Sequence, residues 1–379
     1  MQARIAIIGG GLSGLYAAFL LEQQGIRDYV LLEARPTFGG RILSASAAGQ
    51  SPCTDGLDDA LDRFDLGPTW FWPTLQPQLD RLVDDLKLER FEQHETGDML
   101  VERSQHEAPR RMRGYAMSPG SMRLVGGMGT LVETLRRRLL PERLAVGQRV
   151  RRVRCVDQQV ELDAEDASGR SVTYRIETVL LAVPPRLAAA AIDFTPALPD
   201  SLSRDWRNAA TWMASHAKYV AVYDTPFWRD QGLSGEARSA VGPLAEIHDA
   251  SMPGGSAALF GFFGVPANTR KRVPEGGLHA HCRAQLARMF GPQAAQPRAE
   301  LIKDWAADPL TATAADQDGM AGHGAAPAAT AASGIWRGRL LGIASEWSPQ
   351  FPGYVAGAID AASIGVGTLG RVVTLRSRE

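Results

Sequence analysis

Four apolar residues, Ile5 to Ile8, run directly into Gly9-Gly-Gly11-Leu-Ser-Gly14, and nothing else in the chain restricts its fold as much. A short run of this kind, rich in β-branched residues and bounded by glycine, reads as a buried parallel strand. Beyond it Leu12, Leu15, Tyr16, Phe19 and Leu20 recur at helical spacing and line one face of a helix that Gly25 is placed to stop. A second apolar run, Tyr29 to Leu32, ends in Glu33. Strand, glycine turn, helix, strand and terminal acid form a dinucleotide-binding fingerprint in which each part has a mechanical reason. Gly9 allows the tight turn, Gly11 lets the backbone approach a pyrophosphate, and Gly14 lets helix and strand pack closely. Free N–H groups at the helix start, around Leu12 and Ser13, meet the phosphates at the positive end of the helix dipole. Glu33 lies 19 residues beyond Gly14 and can accept hydrogen bonds from ribose hydroxyls. Its charge would repel a 2′-phosphate, which disfavours NADP.

The rest of the chain narrows the class. With 379 residues, and roughly 100–200 residues per domain, two to three domains are expected. Lys plus Arg (41) balance Asp plus Glu (42), so no basic field exists for nucleic acid or an anionic membrane surface. No apolar run approaches the roughly 18 residues that cross a bilayer. The N-terminus shows no charged leader, and Cys53, Cys155 and Cys282 are too scattered for a disulfide framework or a cysteine zinc site. A reducing, cytoplasmic setting is therefore expected. His279-Ala-His-Cys282 suggests a metal only superficially, because alternate residues face different sides of the helix expected there, and no metal is assigned.

The residues after Glu33 choose the cofactor. Glu33-Ala34-Arg35 leads into Phe38-Gly-Gly40-Arg41, a second glycine pair with a cation, offering further N–H groups and charge to the same diphosphate. This resembles the extended FAD motif of the flavin-containing amine oxidase family. The resemblance continues in order along most of the chain. Asp65-Leu-Gly67-Pro68-Thr69-Trp70 resembles the segment passing the flavin ring, and Leu124-Val-Gly-Gly-Met128 the glycine pair before a helix. Val150 matches a position whose backbone contacts adenine, and Val179 to Pro185 matches the strand and proline pair that follow. Ser345-Glu346 stands where the family has an acid at the ribityl–phosphate region, and Val355 opens a helix aimed at the flavin pyrimidine.

The resemblance implies an α/β architecture: a Rossmann-like FAD lobe interleaved with a substrate lobe of mixed sheet and helices. Residues 1–75, 118–195 and 335–379 would build the first, and 76–117 with 196–334 the second. Pro73 to Leu88 has helical apolar spacing, and Val146 to Leu162 alternates as a hairpin would. Ala306 to Gly334 holds 12 Ala without a clear period and reads as a long irregular segment.

Chemistry is expected from Lys218. His216 to Tyr223 is a strand by its period, with Lys218, Val220 and Val222 on one face. Only four of the 41 basic residues are Lys, so a Lys in an apolar strand is unlike the generic surface charge of this chain. The resemblance gives it the family's lysine role, reaching the flavin through one water. It also makes Tyr354 one of two aromatic walls that hold the amine and Trp305 a tryptophan near the ring, with Trp70, Phe71 and Trp72 as an adjacent cluster. The second wall falls near Ala314 or Ala315, which leaves that cage half built. No cysteine lies there, so FAD is expected to be non-covalent. The implied reaction is oxidation of an amine to an imine with oxygen as acceptor. A desaturase or protoporphyrinogen-oxidase-like enzyme, and a flavin-binding protein with a decayed cage, are the competing readings.

Overall fold

The computed structural model describes residues 2–47, 49–52, 61–157, 159–317 and 324–376. Cys53 and part of the alanine-rich stretch lie outside the described residues. The expected strand is β1, Ile5–Ile8; the helix is α1, Leu12–Gln23; the second run is β2, Tyr29–Leu32. β1 is central in a parallel five-stranded sheet ordered Leu144–Ala145, β2, β1, Thr178–Leu181, Leu340–Gly342. Segments more than 300 residues apart in sequence thus share one sheet. Both faces are covered, which is why β1 is apolar throughout rather than alternating. Ile5 and Ile7 join a cluster with α1 and the C-terminal helix Val355–Arg376, while Ala6 and Ile8 join one with Val153, Leu162 and Trp206.

The expected hairpin forms from Arg149–Val156 and Gln159–Glu165, antiparallel with a bulge between Val150 and Arg152. A seven-stranded mixed sheet makes the other side of the molecule, ordered Ala299–Asp304, Ala217–Tyr223, Ala257–Phe263, Leu244–Asp249, Leu233–Ser239, Asp98–Glu102, Arg110–Met112. Ala217–Tyr223 is buried on both faces. Tyr219, Ala221 and Tyr223 pack with Leu286 and Phe290 of the helix Glu275–Phe290, while Val220, Val222 and Phe260 pack on Phe64 and Leu66. The second set presses the sheet against the segment that leads into Gly67.

One placement differs from the sequence reading. The helix Pro77–Asp85, expected in the substrate lobe, buries Leu79, Leu82 and Val83 in the same cluster as α1 and the C-terminal helix. Its amphipathic spacing marks a buried face without saying which lobe supplies the partner. No helix among the described residues is long and apolar enough to cross a membrane.

Candidate active site

The glycine turn is held by close backbone contacts. Gly9 takes φ +106°, and a Cβ on Gly14 would stand 2.0 Å from the Gly9 carbonyl oxygen, so strand and helix meet only through glycine. Gly39 N donates to Gly10 O at 2.9 Å, which lays the second glycine pair beside the first. A Cβ on Gly11 would meet only Gly39 O and Gly40 Cα, both at 3.9 Å. No side chain caps the start of α1, so the N–H groups of its first turn are left for a ligand.

These elements open into a cavity of about 470 Å³ lined by Gly9, Gly11, Leu12, Ser13, Glu33, Arg35, Gly40 and Arg41 on the Rossmann side. Gly67, Pro68, Thr69, Trp70, Trp72, Tyr354 and Val355 continue the lining, and Trp212, Met213 and Phe262 face them. A smaller cavity of about 70 Å³ shares Gly9, Glu33 and Arg35 and adds Ala34 and Val150. Together they are lined by the glycine turns and Glu33 and by aromatic side chains, and the residues fit FAD. Uncapped N–H groups and paired glycines suit a diphosphate, and Glu33 and Val150 suit the adenosine. The start of a 22-residue helix at Val355 brings a positive dipole end to the far side.

Each charged side chain lining the larger cavity has a partner. Glu33 is buried and accepts from Gly10 N at 2.6 Å and Arg35 N at 2.7 Å. Arg41 donates to both carboxylate oxygens of buried Glu346, at 2.5 and 2.9 Å, and to Trp212 O at 3.0 Å. Arg35 donates to Asp308 Oδ1 at 2.9 Å and Thr311 Oγ1 at 3.1 Å, and Lys303 donates to Asp308 Oδ2 at 3.0 Å. Burial opposes ionisation of Asp308, but Arg35 and Lys303 hold its carboxyl below the usual range.

Lys218 is fully buried immediately behind this lining. Its Nζ donates to Thr69 Oγ1 at 2.5 Å and Gly67 O at 3.1 Å, and lies 4.0 and 5.5 Å from the ring centroids of Phe260 and Phe262. Burial pushes its ammonium down to about 7, against the pull of Asp65 and with a further push from Arg123. Burial likewise raises the Asp65 carboxyl, with Lys218 opposing.

Five expected site residues stand elsewhere than at the lining: Lys218 behind it, Gly14 against the Gly9 carbonyl, and Phe71, Trp305 and Glu346. Phe71 is buried in the Rossmann-side core and bridges Met122, so the strand-like alternation turns Trp70 and Trp72 to the cavity and Phe71 away. Trp305 is buried, with its indole N–H donating to Leu66 O at 2.9 Å, and it supports the Asp65–Thr69 segment from behind. Glu346 acts on the cavity through Arg41. Ala314 and Ala315 are exposed on a short helix, Ala314–Gln317. Trp212, Phe262 and Trp72 bring further aromatic rings to the lining of the same cavity. Sequence reasoning missed Trp212, Met213, Phe262 and Gln76, and it found Leu310 and Thr311 only as part of an irregular segment. Phe262 carried one usable signal, its place in the apolar run Ala257–Phe263; its register opposite Lys218 comes from the fold.

A Rossmann lobe whose nucleotide cleft runs on into an aromatic chamber at a second sheet is the layout of a flavoprotein oxidoreductase. The chain matches the model of the family "Flavin containing amine oxidoreductase" over residues 96–364, and that of the "NAD(P)-binding Rossmann-like domain" over residues 7–86. It belongs to the flavin containing amine oxidoreductase family. It is 32% identical over 187 residues to the probable flavin-containing monoamine oxidase A of Dictyostelium discoideum, covering 48% of this chain and 39% of that protein. It is 33% identical over 168 residues to the putrescine oxidase of Kocuria rosea, covering 40% and 34%. The matched stretches thus span well under half of those relatives. Among solved structures, cyclohexylamine oxidase from Brevibacterium oxydans IH-35A superposes with TM-score 0.77 at 17% identity, covering 98% of this chain and 99% of that one. Wild-type putrescine oxidase bound to putrescine gives TM-score 0.74 at 20% identity, covering 99% of each. At these identities the superpositions establish the fold.

Proposed function

We propose that this chain holds FAD non-covalently and oxidises an amine: R₂CH–NH₂ + O₂ gives R₂C=NH + H₂O₂, and water then converts the imine to a carbonyl compound and ammonia. The observation that carries this reading is one continuous cavity joining the two glycine turns and the α1 N-terminus to Trp70, Phe262 and Tyr354. FAD, when bound there, supplies the two-electron acceptor that oxygen later regenerates. The chain's own residues do the rest. Gly9, Gly11, Gly40 and the first turn of α1 receive the diphosphate, while Glu33 takes the ribose. Arg41, fixed by Glu346, places its cation along the cofactor. Trp70, Phe262 and Tyr354 hold the amine between apolar faces and exclude water. Lys218, held by Thr69 and Gly67 directly behind that chamber, keeps an exchangeable proton beside it.

Family membership and the buried lysine favour amine oxidation over desaturation of a carbon skeleton. The rings of Trp212, Trp72 and Phe262 in the same lining support a working chamber over a decayed cage. Among the described residues neither Cys155 nor Cys282 lines the cavity, which supports non-covalent attachment. We assign residues 1–75, 118–195 and 335–379 to the FAD lobe, add the helix Pro77–Asp85 to it, and leave the remainder to the substrate lobe. Purified protein carrying FAD should release peroxide under air with amines. Flavin-loaded protein that makes none with any amine contradicts the reading.

A further inference from the structure

Amines reach an enzyme at neutral pH as ammonium ions, and the chamber next to Lys218 shows which of them it can accept. Its walls at the aromatic end are Trp70, Trp72, Phe262, Trp212, Met213 and Tyr354, all uncharged. Among the described lining residues the charged side chains are Glu33, Arg35 and Arg41, and each is already engaged. Glu33 is bound to two backbone N–H groups, Arg35 to Asp308 and Thr311, and Arg41 to both oxygens of Glu346. Asp308 is shared between Arg35 and Lys303. Among the described residues a second ammonium would find no free carboxylate at this end, and a substrate carboxylate no free guanidinium.

We infer that the substrate is a monoamine with an uncharged, apolar body, rather than a diamine or an amino acid, because the described residues at the aromatic end of the cavity offer stacking faces and no unpaired charge.

This inference rests on the amine-oxidase reading above. Its size follows from proton bookkeeping. An alkyl amine with a pKa of about 10.4 must shed its proton to enter such a chamber, which at pH 7 reduces the competent fraction about a thousandfold. A monoamine bears that cost once, at the nitrogen that reacts. A short diamine bears it twice. The second cost shrinks about tenfold for each pH unit gained until the distal amine is neutral. A carboxylate is excluded more firmly, since it stays ionised throughout this range.

The test is a steady-state comparison, on FAD-loaded protein under air, of butylamine, benzylamine, putrescine and L-norvaline between pH 7 and 9, with flavin bleaching followed in parallel. Butylamine or benzylamine should exceed putrescine and L-norvaline in kcat/KM by about a hundredfold or more at pH 7. The gap to putrescine should narrow as the pH rises, and the gap to L-norvaline should persist. Putrescine or L-norvaline within tenfold of butylamine at pH 7 overturns the inference and leaves amine oxidation standing. Flavin that none of the four bleaches overturns both.

Discussion

Lys218 Nζ donates to Thr69 Oγ1 at 2.5 Å, joining an inner strand of the substrate sheet to the segment that lines the flavin cleft. The lysine is thereby fixed at the junction of the two lobes. In the sheet register it faces Phe262 on one side and Lys303 on the other, so two of the four lysines in the chain lie at this junction. Lys303 reaches Asp308, which holds Arg35, so the same sheet also grips the nucleotide end.

Replacing Lys218 with Met should slow amine-dependent turnover by about a hundredfold or more while FAD stays bound. The replacement also has a distinct signature in stability. Folding lowers the Lys218 pKa from 10.5 to about 7, so the unfolded chain binds the proton more tightly. Below pH 7 both states are charged and the burial cost is carried in full. Between pH 7 and 10.5 the folded state has shed its proton first and the cost is progressively relieved. Lys218→Met should therefore gain stability relative to the parent chain at pH 6, by up to a few kcal/mol, and lose that gain toward pH 10. Thermal melts of both proteins across this range check it.

Trp70 and Phe71 are neighbours with opposite expected phenotypes. Phe71→Ala empties a fully buried core position and should cost about 3–5 kcal/mol of stability, with KM unchanged in the protein that remains folded. Trp70→Ala opens the cavity wall and should raise KM about tenfold or more with a smaller loss of stability. Paired melts and steady-state kinetics distinguish them.

Gly14→Ala places a methyl group 2.0 Å from Gly9 O, a backbone atom that cannot yield without disturbing the phosphate turn. The variant should purify with little or no flavin, and added FAD should fail to raise its melting temperature as it does for the parent chain.

Asp308→Asn removes the carboxylate shared by Arg35 and Lys303 at the nucleotide end. FAD should dissociate about tenfold or more faster, read as recovery of free-flavin fluorescence after dilution, while KM for amine changes little. Arg35 then keeps only Thr311 and, at 3.9 Å, Glu33, so its guanidinium is no longer anchored beside the cavity by a partly buried carboxylate.

Much of the Rossmann side was legible because its determinants are local. A glycine turn, an apolar face and a terminal acid within 33 residues specify one another through short-range geometry. Lys218 was legible for a similar reason: strand period and the scarcity of lysine both single it out. The substrate wall was not. Phe71 and Trp72 look alike in sequence, and only the bridge from Phe71 to Met122 decides which ring faces the core. Trp212 and Met213 precede the strand Ala217–Tyr223 without a periodic signal, Met213 in a left-handed conformation at φ +69°. Their place at the cavity depends on how the second sheet docks. Trp305 was found as an aromatic residue near the site, but its role as a prop under Leu66 depends on a contact spanning 239 residues.

Anaerobic mixing of FAD-loaded protein with an apolar monoamine tests the central claim most directly. The flavin's visible absorbance should bleach on adding butylamine or benzylamine and return when air is admitted, with hydrogen peroxide appearing in proportion. A fully loaded protein whose flavin stays oxidised through saturating amine would contradict the account.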